Sequence, residues 1–322
     1  DANPWVAMHV VLALGAGIQR GGVNVLDSTV AAALRLEEVG MRRYPVFPLD
    51  VERHRFHFLQ IMQAIDLPRD HLFVTPDGRW TRADLVESAC ALFDPKPPAN
   101  DEDSWAISVL THEYPPARDE FTTARGQKVD VAEQVEHHLR ETEVSYAAVF
   151  ASMQGEGYGR NALHRRACNG LHLLYGLLDA AAAGYVAGEL PAKLARLLAA
   201  TLFRARLEAV LIERSLPAGN ATTRLNADAA RLTFFGHLCE DFGLAIRHRL
   251  FQPDAAQLAT LVWARDQLVG VIQRFVSEHD ISTLSVRVPR AWHVMLGDLC
   301  HAYRGLRILR ASLASATDGP HG

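Results

Sequence analysis

The stretch that most constrains this chain is Asn161–Tyr185, NALHRRACNGLHLLYGLLDAAAAGY. Wound at about 100° per residue with His164 at zero, it puts Cys168 near about 40°, Tyr175 about 20°, Asp179 about 60° and His172 about 80°. Leu171, Leu174, Leu178 and Ala167 lie beside that stripe, and Leu173 and Leu177 lie opposite. Beyond its first turns such a helix is apolar nearly all round, which predicts a central, buried element. Asn161 suits its N-cap, and Gly184 and Gly188 suit its stop.

The rest of the chain supplies partners for it. Apolar spacing predicts helices over 4–19, 27–43, 50–65, 81–93, 101–112 and 130–153, and then over 191–214, 226–250, 254–278 and 289–314. Thr81 followed by Asp84 reads as a capping box. Thr75-Pro76-Asp77-Gly78 predicts the turn of a hairpin over Leu72–Trp80, and 120–131 reads as a second hairpin or an irregular loop. Residues 281–288, rich in Ser, Thr and Val, read as an extended connector.

The expected fold is therefore all-α: consecutive long helical hairpins forming an α/α superhelix or an α/α-barrel (toroid-like), with one or two short β-hairpins in the N-terminal third. A single helical domain over 1–322 is expected. A sub-lobe boundary falls at the Pro-rich 94–103 linker, and the tail over 315–322 reads as disordered.

One internal echo stands out. Phe235-Gly236-His237-Leu238-Cys239 recurs as Leu296-Gly297-Asp298-Leu299-Cys300, 61 residues on, and each copy precedes a Gly-Leu pair, Gly243-Leu244 and Gly305-Leu306. Cys168 before Gly170-Leu171 is a looser third copy. That spacing suits one hairpin of two long helices per unit, with the small residues letting neighbours approach closely.

Composition excludes some functions. The net charge of −4 argues against a nucleic-acid surface, which needs a basic excess. Only Lys96, Lys128 and Lys193 of the 33 basic residues are lysine; the rest are arginine, as a GC-rich genome would give. The apolar run Trp5–Ile18 is too short to span a bilayer. Cys90, Cys168, Cys239 and Cys300 form no CxxC and sit in helical patterns, so buried thiols are expected rather than a disulfide framework. The chain opens at Asp1; removal of a signal peptide would make it periplasmic or secreted, and otherwise it is cytoplasmic.

Three chemistries fit the polar stripe. His164, Cys168 and His172 are metal candidates, because residues four apart on a helix can chelate one ion. His164 and His172 lie about 12 Å apart along the axis, so only one neighbouring pair can serve, completed from elsewhere. A plainer reading makes the histidines hydrogen-bonded and the cysteine a small core residue. Cys168 activated by a histidine is the second chemistry, although it sits two turns from the helix start that would lower its pKa. Acid–base cleavage of a glycan is the third, with His112, Glu113, His172, Tyr175 and Asp179 as catalytic candidates. His237 with Glu240 and Asp241, and the Glu133–His137 and Glu136–His138 pairs, read as exposed faces.

Two functions follow. One is a helical protein that binds a small molecule, peptide or protein partner in a concave face. The alternative is an α/α-barrel hydrolase or lyase on a carbohydrate-like substrate, possibly metal-assisted. No particular cofactor is implied.

Overall fold

A computed structural model describes residues 3–95, 103–214 and 221–317. The chain is mostly helical (69%), with thirteen α-helices and a few two-stranded sheets among the described residues. No helix among them is long and apolar enough to cross a membrane. Most of the 94–103 linker and residues 318–322 of the tail lie outside the described residues, and helix continues through Thr317. The chain packs as two compact units, residues 1–138 with 179–188, and residues 139–178 with 189–322.

The first unit holds α1 (Pro4–Leu14), α2 (Val25–Ala33), α3 (Leu49–Glu52), α4 (His57–Ala64), α5 (Arg82–Ala91) and α6 (Ser104–Glu113). Four antiparallel hairpins join them: β1 (Gln19–Arg20) with β2 (Val23–Asn24), β3 (Arg35–Val39) with β4 (Arg42–Val46), β5 (Leu72–Thr75) with β6 (Gly78–Thr81), and β7 (Glu120–Thr122) with β8 (Lys128–Asp130). Four hairpins replace the one or two expected. The 27–43 helix is overturned after Ala33: Gly40 takes a left-handed φ of 62° in the turn, and Leu36 pairs with Pro45. The Glu37-Glu38 helix preference yields to that turn. The 50–65 helix splits because Arg53 and Phe56 are left-handed, and the buried Glu52 carboxylate accepts the N–H groups of Phe56 and Phe58, both at 3.2 Å. The Thr81–Asp84 capping box forms as expected.

The second unit takes most of α7 (Val131–Met153) and of α8 (His172–Ala182), then α9 (Leu190–Arg214), α10 (Ala221–Arg247), α11 (Ala255–Glu278), α12 (Ile281–Arg287) and α13 (Pro289–Thr317). The connector expected over 281–288 is helical: Leu284 sits in an apolar cluster with Leu225, Phe275 and Met295, and that burial outweighs the β-branched residues' preference for extended chain.

Helices α10 and α13 run parallel. Thr233 meets Asp298, Glu240 meets His301 and Gly243 meets Ser312, so both chains advance together. Glycines carry the contact. A methyl on Gly305 would stand 2.6 Å from Gly236 O and 2.9 Å from Glu240 N, and one on Gly243 would stand 2.8 Å from Leu309 N. The two copies of the sequence echo are thus the two packed helices.

The central helix is shorter than its apolar pattern implies. Residues Ala162–Arg165 and Ala167–Gly170 form 3-10 turns, and α8 starts only at His172. Cys168, Asn169 and Gly170 are all left-handed, with φ of 46°, 56° and 74°. A side chain at Gly170 would collide with Leu163 Cδ2 at 2.6 Å, and the Asn169 carbonyl is held at 2.7 Å by Arg204 Nη1. The single 100° stripe from His164 to Asp179 therefore does not exist.

Candidate metal centre

Three helices of the second unit bring histidines to one place. α10 supplies His237 and Glu240, one turn apart on one face; α13 supplies Asp298, His301 and Arg304 at the same spacing; α8 opens with His172 and adds Tyr175. All seven are buried: Glu240 is 0% exposed and His237 1%. Ring centroids of His172 and His237 stand 4.6 Å apart, and those of His237 and His301 4.1 Å.

Glu240 organises the group. Its Oε1 takes a hydrogen bond from Arg304 Nη1, which also donates to Tyr175 Oη at 2.5 Å. Its Oε2 accepts from His301 Nδ1 at 2.7 Å. The Arg304 charge makes burial of the Glu240 carboxylate tolerable. With the proton on Nδ1, the His301 lone pair is on Nε2. This assignment follows from the bond to the carboxylate. Burial, and then the neighbouring His172, push the His301 pKa well below its ordinary value, so the ring is neutral. Asp298 accepts from Thr233 Oγ1 at 2.6 Å and lies 3.9 Å from His237 Nε2; burial raises its carboxyl to about 7, against the Thr233 bond.

Donor atoms of His237, Glu240 and His301 all lie within 4.8 Å of one another, as do those of Cys168, His172 and His237. Imidazoles joined by a carboxylate or a thiolate are the donor set of Zn²⁺ and neighbouring late first-row divalent ions. A carboxylate on the far nitrogen of a histidine is the usual way to aim such a ligand.

A second polar group lies in the same unit around Glu208 of α9. His164 Nε2 stands 3.1 Å and 3.2 Å from its two oxygens, Arg204 Nε donates at 2.7 Å, and Tyr158 Oη donates as well. Burial alone would raise the Glu208 pKa; the His164 bond, the Arg204 charge and the Tyr158 bond outweigh it and hold it at about 2. Beside this group opens a cavity of ≈ 300 Å³.

The residues singled out from sequence separate accordingly. His172, Tyr175 and Cys168 belong to the His237–His301 group, while His164 pairs with Glu208. His112, Glu113 and Asp179 belong to the first unit. There His112 is exposed, Glu113 pairs with Arg69 and faces Arg82 at 3.9 Å, and Asp179 accepts from Ser108. The exposed face expected for His237, Glu240 and Asp241 is instead buried, because α10 packs against both α13 and α11; His138, in the first unit, is buried as well. The signal for the missed residues was the echo itself: Gly-His-Leu-Cys-Glu and Gly-Asp-Leu-Cys-His put His237 and Glu240 in register with Asp298 and His301. Comparison with protein-family models, curated proteins and solved structures gave no match.

Proposed function

We propose that the second unit is a helical metal-binding module that holds one late first-row divalent ion at the His237–Glu240–His301 triad, with His172 and Cys168 as further donors on the other side of His237. The observation that carries this reading is a pair of largely buried donor triads that share His237, namely His237–Glu240–His301 and Cys168–His172–His237, each with its donor atoms within 4.8 Å of one another. The parallel α10 and α13, with α11 between them in sequence, fit the stacking of helical hairpins that an α/α superhelix or toroid repeats.

The broader reading, a helical protein that takes up a small molecule, peptide or carbohydrate, is part of the same proposal. The cavity beside Glu208 supports it.

The test is titration of the metal-stripped protein with Zn²⁺ and with Co²⁺, read by calorimetry and by the visible absorption of Co²⁺. One ion per chain is expected, with at least about tenfold weaker binding in His237→Ala and in His301→Ala. Sub-stoichiometric binding, or binding that both variants leave intact, refutes the proposal.

A further inference from the structure

The cavity beside Glu208 is formed by three segments of the second unit: the 160–169 loop, α9 and the first turns of α10. Its volume of ≈ 300 Å³ is at the lower end of what small-molecule sites need. The wall has two characters. Leu211, Ile212 and alanines of α10 give an apolar side, while Glu208, Asn169, Asn226 and Arg160 give a polar one.

Each polar group has a definable state. Glu208 is an ionised, immobilised acceptor whose charge is matched by the buried Arg204, at 2.7 Å. His164 Nδ1 accepts the Asn161 N–H at 3.0 Å, so its Nε2 faces Glu208 as a donor. With Glu208 and Arg204 cancelling, Arg160 is left as the uncompensated charge on the wall. The two carboxamides add donors and acceptors in pairs, which hydroxyl groups satisfy by donating and accepting at once. A guanidinium takes a carboxylate in bidentate fashion. The methyl groups opposite suit the C–H face of a ring.

We infer that this cavity binds a small polyhydroxylated acid of monosaccharide size, with its carboxylate on Arg160, its hydroxyls on Asn169, Asn226 and Glu208, and its C–H face on Leu211 and Ile212. The site is separate from the metal ligands and needs no ion.

The experiment is calorimetric titration of the full-length, metal-stripped protein with glucuronate, glucose and inorganic phosphate. Glucuronate binds with a Kd of about 1 mM or tighter, and glucose at least about tenfold more weakly. Arg160→Ala brings glucuronate down to the glucose level. Asn226→Leu, whose side chain projects into the cavity from an exposed position, removes binding of both sugars while the melting temperature stays unchanged. His301→Ala leaves glucuronate binding intact, so this result is independent of the metal. The inference is overturned if glucuronate does not bind at about ten times that concentration, if both cavity variants bind it as the parent does, or if phosphate binds as well as glucuronate.

Discussion

Replacing Gly305 by alanine tests the helix pair that builds the candidate centre. The added methyl would stand 2.6 Å from Gly236 O, 2.9 Å from Glu240 N and 3.2 Å from Cys239 Cβ. Two of these three neighbours are backbone atoms of α10, which cannot rotate away. Relief requires α13 to move outward by several tenths of an ångström. Overpacking of this kind costs about 1–3 kcal/mol. Alanine recovers up to about 1 kcal/mol over glycine in a helix interior. The net expectation is a loss of roughly 1–2 kcal/mol, a fall of about 2–8 °C in the melting transition of a unit this size. The same outward shift carries His301 and Arg304 away from Glu240, so Zn²⁺ affinity falls with stability. Gly270→Ala in α11 is the control with opposite sign. Its methyl meets only Arg274 Nη1 at 3.6 Å, so the helix-propensity gain is unopposed, at roughly 0.5–1 kcal/mol. Urea denaturation of the two variants beside the parent measures both. A Gly305→Ala protein as stable as the parent, or a Gly270→Ala protein destabilised like it, would refute the close-contact argument.

Two further outcomes follow from single groups. Glu208 has its pKa depressed from 4.5 to about 2, so its contribution is complete above pH 4.5 and is lost as pH falls through about 2; at roughly 1.4 kcal/mol per unit that is about 3 kcal/mol. The stability difference between the parent and Glu208→Gln, measured by urea denaturation, shrinks between pH 5 and pH 2.5, and a constant difference contradicts the assignment. In the first unit, Thr81→Ala removes the acceptor of the Asp84 N–H and breaks the capping box of α5, at a cost of about 1 kcal/mol in thermal unfolding; no change in the transition would show the cap to be idle.

Much of the helical second unit was legible because its signals are local. Residues 190–214 and 255–278 carry an uninterrupted apolar period, with Pro191 in the first turn of one helix and the Asp254–Gln257 capping box opening the other. The first unit was less so. Gly40 turns the chain after only five residues of strand, too few for alternation to outweigh the helix-forming Glu37 and Glu38. The break at 167–170 had one local sign, the Asn169-Gly170 pair, which the surrounding apolar period outweighs. Cys168 adopts a conformation that costs most L-residues roughly 1–2 kcal/mol, and Asn169 one that asparagine tolerates better; the turn is held by the Arg204 bond to the Asn169 carbonyl from α9, 35 residues away. The candidate centre was half visible for a related reason. The repeated glycines announced a close helix pair, but a period-based reading assigns His237 and Glu240 to solvent, because it weighs polar residues one at a time.

That left-handed turn joins the two polar groups of the second unit. Cys168 is a donor beside His172 and His237, and the next carbonyl, that of Asn169, accepts Arg204 Nη1. Arg204 Nε in turn holds Glu208 at the edge of the cavity. Were residues 161–171 a regular helix leading into α8, the Asn169 carbonyl would lie along the helix axis and accept an intrahelical N–H instead of turning toward Arg204. Arg204 would then be a fully buried cation with one anchor fewer, and the carboxylate it neutralises would be held less firmly. The strain at Cys168 and Asn169 is thus offset by the Arg204–Glu208 pair. The same three-residue turn starts α8 at His172, the point from which its imidazole reaches His237. One local departure from helix therefore positions both the candidate ligands and the wall of the cavity.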